Sequence, residues 1–201
     1  MKTLNRVQGI QKRGLDISLA LLGLILTGWL IALAYLISSF DTRSHGLFTQ
    51  QRVGMGGRIF TLYKIKTMRP SQHIQTTVTT ANDPRITCIG HFLRKSKIDE
   101  LPQLWNVLIG DMSFVGPRPD VPGFADRLNG EALVILSVRP GITGPATLHF
   151  RYEEDLLATQ SDPDTYNRFV LYPEKVRLNI EYLRDWCLKK DIQLIWKTLV
   201  G

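Results

Sequence analysis

The sequence predicts an α+β fold, mostly helical with a short β-hairpin, in which an N-terminal re-entrant (monotopic) membrane helix precedes a cytosolic domain. Three observations predict it. Residues 17–37, ISLALLGLILTGWLIALAYLI, carry no charge. Residues 47–68, LFTQQRVGMGGRIFTLYKIKTM, alternate apolar and polar positions on either side of a Gly-rich turn. Much of the remainder reads as helices separated by Gly- and Pro-containing turns. The expected division is a membrane-associated segment, 1–41, whose re-entrant helix covers about 15–40, followed by a domain over 42–201.

The uncharged run is 21 residues long, close to the ~20 that cross a hydrocarbon core as a helix. Its apolar residues lie all round the helix rather than along one stripe. It is too long for a cleaved signal peptide and lacks a small-x-small exit. Lys2, Arg6, Lys12 and Arg13 precede it, and Arg43, Arg52, Arg58, Lys64 and Lys66 follow. Basic residues mark the cytoplasmic side. A straight spanning helix exports one of these flanks, whereas a helix that enters, bends and returns exports neither. The re-entrant form is therefore favoured over the spanning one. The candidate bend is Thr27-Gly28, where glycine loosens the helix and the threonine hydroxyl can satisfy a freed carbonyl. The run contains no proline, so the bend is weakly encoded.

Residues 47–68 read as a β-hairpin about the Gly54-Met55-Gly56-Gly57 turn. Lys64 and Lys66 lie two apart and share a face if both are on the strand; solvated lysines are the plain alternative. Residues 70–84 are polar and threonine-rich, as in a mobile loop, and a short helix is expected over 85–96. Pro102 suits the first turn of a helix whose apolar face carries Leu104, Val107 and Leu108. Asp99 and Glu100 then sit at its N-terminus, where exposed N–H groups favour anions.

Residues 96–119, SKIDELPQLWNVLIGDMSFVGPRP, are the most informative stretch. The Asp99-Glu100 pair is followed by Asp111 and by Arg118 between Pro117 and Pro119. Capping explains one acid but leaves the second cluster unexplained, and the run reads as a site for phosphate and metal. Residues 137–150, SVRPGITGPATLHF, again join an arginine, Arg139, to prolines, glycines and Thr143. Such turns present N–H groups and a guanidinium to an anion, or else serve only as structure. Residues 152–175 read as charged and irregular. A helix over about 174–199 closes the chain, its apolar stripe suited to core or membrane-surface packing.

Lys and Arg number 25 against 18 acids, a formal charge of +7. A basic surface suits nucleic acid, anionic lipid or nucleotide phosphate. No helix-turn-helix, zinc-ligand spacing or stacked-aromatic motif is present, so nucleic acid is not an expected partner. Cys88 and Cys187 read as free, reduced thiols of a cytosolic environment.

Together, FTQQRVGMGGRIFTLYKIKTM, KIDELPQLWNVLIGDMSFVGPRP and VRPGITG resemble the bacterial sugar transferase family, the monotopic phosphoglycosyl transferases that start glycan assembly on a polyprenol phosphate. The match runs from about Lys12 to Leu199, with three long motifs in the family's order. The chain resembles the minimal catalytic form, which lacks extra spanning helices and an N-terminal domain. The resemblance implies transfer of a sugar 1-phosphate from a UDP-sugar to undecaprenyl phosphate with release of UMP, by a covalent intermediate on Asp99. It places the catalytic domain on the cytoplasmic face of the bacterial inner membrane, beside inner-leaflet lipids.

A carboxylate attacking an anionic phosphorus needs charge neutralisation. Magnesium, Mg2+, can bridge pyrophosphate oxygens while Asp99 and Glu100 hold it. Arg118 and Arg139 are nominated for phosphate contacts, with Pro117, Pro119, Thr143, Lys64 and Lys66 as further substrate-binding candidates. Asp111 is either a metal ligand or a support for the following turn. One departure is that the family's Ser-Pro helix break corresponds here to Gly28-Trp29. A hydrolase of nucleotide sugars and a non-catalytic lipid- or partner-binding module are the competing readings. The sequence leaves the sugar and the final glycan open, and permits a homodimer.

Overall fold

The computed structural model describes residues 4–69 and 83–200. Most of the threonine-rich stretch, 70–82, lies outside the described residues. The N-terminal helix, α1, covers Arg6–Thr42 and so extends the apolar run at both ends. Asn5 and Gln8 open it as a capping box, each side chain reaching the other's backbone N–H. It continues as one helical element through Thr27-Gly28, where the Thr27 hydroxyl donates to the Gly23 carbonyl at 2.7 Å.

The apolar residues that surround α1 sort by size. Lys12, Asp16, Ala20, Ala34, Ser38 and Thr42 are buried at helical spacing, and Gly23 lies directly against Leu104. Leu22, Ile25, Leu26, Trp29, Leu33 and Leu36 are exposed. Small and polar residues thus face the body while large apolar ones face away. The body holds both ends. Near the start, Lys12 meets Asp191 at 2.5 Å. Arg13 donates to the Val107 and Leu108 carbonyls at 2.6 and 2.8 Å, and Asp16 accepts from Ser113 Oγ and the Phe114 N–H. Near the end, Ser38 Oγ donates to the Lys66 carbonyl.

Strands β1 (Leu47–Val53) and β2 (Ile59–Ile65) form the expected antiparallel hairpin, Leu47 opposite Ile65 and Val53 opposite Ile59. Helix α2, Cys88–Lys95, starts later than Arg85 because Thr87 caps it, accepting from the Gly90 N–H. Helix α3 covers Gln103–Ile109 behind Pro102 and stops at left-handed Gly110. Strands β3 (Ser113–Val115) and β4 (Gly141–Thr143) add a parallel pair, an addition to the expected fold.

Two expectations need correction. The stretch 152–175 is largely helical: α4 (Pro145–His149) is followed by α5 (Glu153–Ala158), α6 (Pro163–Tyr166) and a π-turn, Asn167–Leu171. The single C-terminal helix is two, α7 (Tyr172–Arg184) and α8 (Leu188–Val200). The break serves Asp191, 1% exposed, which collects Lys12 Nζ, Tyr182 OH at 2.6 Å and Trp186 Nε1 at 3.1 Å. A tertiary demand of this kind overrides local helix propensity. Val115, Ile135, Val138, Val176 and Leu183 pack around this network. Ala20, Leu62, Val107 and Met112 form a second core under α1.

Asp191→Ala leaves Lys12 buried without its counter-charge and should destabilise the chain by about 3–5 kcal/mol. Thermal unfolding of the detergent-solubilised protein reads this loss. The double variant Lys12→Met, Asp191→Leu removes the uncompensated charge and should recover part of it; the deficit that remains measures the bonds that Tyr182 and Trp186 lose with Asp191.

Candidate active site

The acid pair occupies a 3₁₀ turn, Ile98–Glu100, one step ahead of α3 rather than in its first turn. Lys97 enters this turn with φ +58°, a left-handed conformation uncommon outside glycine. The turn buries Asp99 to 6% exposure and directs Glu100 to two cations. Lys64 Nζ, from β2, lies 2.7 Å from Glu100 Oε1, and Arg118 Nη2 lies 2.9 Å from the same oxygen.

Lys64 is placed by Asn106, a fully buried residue of α3. Its amide accepts from the Tyr63 N–H at 3.1 Å and donates to the Thr61 carbonyl at 2.7 Å. It thereby satisfies the edge of β2 that no strand covers. Arg118 is placed by the two prolines beside it. The Pro117 carbonyl accepts from the Gly141 N–H and the Pro119 carbonyl accepts from Arg52 Nη1 at 3.0 Å. A Cβ on Gly116 would stand 2.5 Å from the Arg139 carbonyl, and one on Gly141 would stand 2.1 Å from the Gly116 nitrogen. Only glycine permits this backbone approach.

The two carboxyls end in opposite electrostatic states. Burial raises the Asp99 pKa, Lys64 pulls it back, and the Glu100 charge pushes it further up. Burial acts upward on Glu100 too, but Lys64 and Arg118 outweigh it and hold that pKa well below the usual range. Burial lowers Lys64, with Glu100 opposing, and the Glu100 charge raises Arg118. Glu100 is therefore a neutralised anion. Asp99 Oδ1 is buried with no hydrogen-bond partner among the described residues, and Lys64, Arg94 and Lys97 supply the positive field around it.

The other nominated residues lie elsewhere. Lys66 directly follows the last residue of β2, and its ammonium meets Ser44 Oγ at 3.0 Å, whereas that of Lys64 meets Glu100. Arg139 Nε donates to the Gly110 carbonyl at 2.7 Å. Thr143 is buried against Thr198. Asp111 lies past the end of α3, where Asn106 Nδ2 approaches its carboxylate at 3.4 Å.

No cluster of three or more His, Cys, Asp or Glu suited to a metal occurs among the described residues. A hard cation bound mainly by water and phosphate needs only one or two carboxylates. The unpartnered Asp99 Oδ1 fits that requirement, with Glu100 next to it. Cys88 and Cys187 are free and exposed.

Four contributors escaped the sequence reading. Asn106 and Arg52 hold the site's frame, while Asp120 and Tyr172 flank Arg118 on its far side. Arg52 lies in the quoted QQRVG stretch and Asp120 directly follows P-R-P, so position in the motifs was a usable signal for these two. Burial, with Arg118 beside it, lowers Arg52 to about 10, and burial pushes Asp120 up to about 6.

Comparison with known proteins gives a consistent result. The profile of the family described as bacterial sugar transferase matches residues 7–201. The chain is 36% identical over 202 residues to the galactosyl transferase CpsE of Streptococcus agalactiae, covering 94% of this chain and 41% of that protein. It is 33% identical over 201 residues to the UDP-glucose:undecaprenyl-phosphate glucose-1-phosphate transferase of Escherichia coli, covering 98% of this chain and 41% of that protein. It is 30% identical over 209 residues to the exopolysaccharide production protein ExoY of Sinorhizobium fredii, covering 96% of this chain and 85% of that protein. The chain thus spans about two fifths of the first two relatives and most of the third.

Asp120 yields a pH test. An acid whose folded pKa, about 6, exceeds its unfolded value of about 3.9 keeps its proton longer when folded. The stability this supplies is full below about pH 4 and is lost as pH rises through 6. Asp120→Asn removes that dependence. The melting temperature of the variant relative to wild type should climb between pH 4 and 6 and level off above; a flat difference would refute the assignment.

Proposed function

The chain belongs to the bacterial sugar transferase family, and from that premise we propose that it moves a sugar 1-phosphate from a UDP-sugar to undecaprenyl phosphate, releasing UMP. The observation that carries this reading is the asymmetry of the acid pair. Glu100 is neutralised by Lys64 and Arg118, whereas Asp99 keeps a buried, unpartnered oxygen.

In the first step an Asp99 carboxylate oxygen attacks the β-phosphorus of the donor. The bond from that phosphorus to the bridging oxygen breaks, and UMP leaves with the electron pair. The product is an acyl phosphate joining Asp99 to the phosphosugar. In the second step a phosphate oxygen of undecaprenyl phosphate attacks the same phosphorus, and the Asp99 oxygen departs as a carboxylate. Partial desolvation makes Asp99 a stronger nucleophile than a hydrated carboxylate. The cations around it, Lys64, Arg94 and Lys97, oppose repulsion between the attacking anion and the donor's phosphates. Arg118, pinned through Glu100, faces the donor's negative charge from a fixed position. Magnesium, held by Asp99 with Glu100 in support, would supply Lewis-acid neutralisation of the pyrophosphate.

The membrane arrangement belongs to the same proposal. Helix α1 is long and apolar enough to cross a bilayer, yet Lys12, Arg13 and Asp16 at one end and Ser38 at the other bond to one body. A straight span would separate these ends by the hydrocarbon thickness, ~30 Å, and put one set of bonds on each side. A monotopic placement keeps both on the cytoplasmic face, with Leu22, Ile25, Leu26, Trp29, Leu33 and Leu36 in lipid. The acceptor's phosphate, at headgroup depth, and the cytosolic donor then reach Asp99 from one side.

Two experiments test the proposal. With undecaprenyl phosphate, magnesium and a panel of UDP-sugars, the purified chain should release UMP, and Asp99→Asn should lower the rate by at least about 10³-fold. Intact-mass spectrometry should show a donor-derived adduct on wild type and none on the variant. A variant that retains adduct and activity rules out Asp99 as nucleophile, and sustained UMP release without the lipid would identify a hydrolase. For topology, Thr3→Cys in a chain with Cys88 and Cys187 changed to serine should resist a membrane-impermeant thiol reagent in intact spheroplasts. Labelling from outside would mean that α1 spans.

A further inference from the structure

Behind Arg118 the molecule holds a cavity of about 50 Å³. Its polar lining comes from four elements. Asp120 follows the P-R-P turn, Thr147 stands on α4, Glu153 opens α5, and Tyr172, Lys175 and Asn179 lie on one face of α7. Two of these groups, Thr147 Oγ1 and Asn179 Oδ1, are buried without a hydrogen-bond partner among the described residues, and the Tyr172 hydroxyl beside them faces the Asp120 carboxyl. Buried polar atoms in native proteins are nearly always satisfied by protein, water or ligand, so two orphaned groups next to the Tyr172–Asp120 pair mark a place for an occupant that both donates and accepts.

The charges restrict its chemistry. Lys175 is paired with Glu153 at 2.6 Å and Arg118 with Glu100 at 2.9 Å, and Asp120 lines the cavity with them. A phosphate would find both lining cations already paired and a second acid, Asp120, opposing it. A neutral group rich in hydroxyls suits the Thr147 hydroxyl, the Asn179 amide oxygen and the Tyr172–Asp120 pair. One water-sized site takes roughly 10–15 Å³ on this measure. The cavity therefore admits the hydroxyl-bearing edge of a sugar ring rather than a whole ring.

We propose that this cavity is the subsite for a vicinal-diol edge of the donor, with Thr147, Tyr172 and Asn179 as its hydrogen-bonding groups and Asp120 as an acceptor. The inference rests on the nucleotide-sugar reading of the adjoining site. Both the ribose and the transferred hexose carry such an edge. Arg118 joins the cavity to the acid pair, so a diol seated here lies one side chain away from the phosphate-handling groups. The residues on α7 then bear on donor choice, although they come from a part of the chain far from the acid pair in sequence.

The test uses the full chain in detergent with Tyr172→Phe and Thr147→Val, which delete one hydroxyl each. If these groups are merely structural, both variants bind nucleotides unchanged, whatever their melting temperatures. The subsite predicts about tenfold weaker binding of whichever UDP-sugar supports UMP release, measured by titration calorimetry on the folded variants. UMP is the second arm. Equal weakening for UMP assigns the diol to ribose, and unchanged UMP binding assigns it to the hexose; either supports the subsite. Wild-type affinity of both variants for UMP and UDP-sugar, with UMP release intact, overturns the subsite and leaves the transferase reading standing. Absence of UMP release from wild type with every donor removes the transferase reading first, and the subsite with it.

Discussion

Two adjacent carboxylates taken out of water are the constraint around which this molecule is arranged. Each would be costly alone, and side by side they repel. The structure relieves one of them. Glu100 Oε1 receives Lys64 and Arg118 together, which leaves the burden of desolvation on Asp99, whose Oδ1 stays without a partner. Full neutralisation of both would give a stable but inert turn; neutralisation of neither would expel the turn into solvent. The intermediate solution keeps a buried carboxyl with an unpartnered oxygen inside a positive field, the arrangement on which the proposed chemistry draws.

The supporting interactions are mostly backbone bonds made by side chains. Asn106 completes the uncovered edge of β2 and so fixes Lys64. Arg52 grips the Pro119 carbonyl and, with the bond from Gly141 to Pro117, fixes Arg118. These bonds are short-range and directional, so small displacements at α3 or at the β3–β4 pair are transmitted to the two cations that define the state of Glu100. Deeper in the body, Asp191 plays the corresponding role for α1, α7 and α8 by binding Lys12, Tyr182 and Trp186.

What could be read from the sequence was whatever local chemistry writes into it. The charge-free run became α1, and the Gly-centred alternation became β1 and β2. The acid pair and the P-R-P arginine proved to be neighbours in space. Features decided by distant partners were invisible. Lys64 and Lys66 look equivalent until their partners, Glu100 and Ser44, are seen. Arg139 gives no sign in the sequence that its Nε braces the Gly110 carbonyl. Strands of three residues, such as β3 and β4, show no usable alternation, and their pairing depends on glycine contacts between separate segments. The interruption between α7 and α8 follows from where Asp191 must point, which helix periodicity cannot express. Asn106 sits inside an apolar helix face and gives no sign of the strand edge it serves.

Helix α1 shows why the membrane element and the site form one unit. Arg13 occupies the Val107 and Leu108 carbonyls near the end of α3, the helix that carries Asn106. Asp16 binds Ser113 and Phe114 of β3, the strand that leads into the P-R-P turn. The same helix therefore supports both routes by which cations reach Glu100: through α3 and β2 to Lys64, and through β3 to Arg118. Its small and polar face makes these contacts, leaving the large apolar face exposed. An anchor that served only to tether would need no such contacts and could be exchanged for any apolar helix. Here, removing α1 would strip Ala20 from the core shared with Leu62, Val107 and Met112 and loosen α3 and β3 together. The exposed apolar face of α1 and the neutralisation of Glu100 are thus consequences of one packed interface.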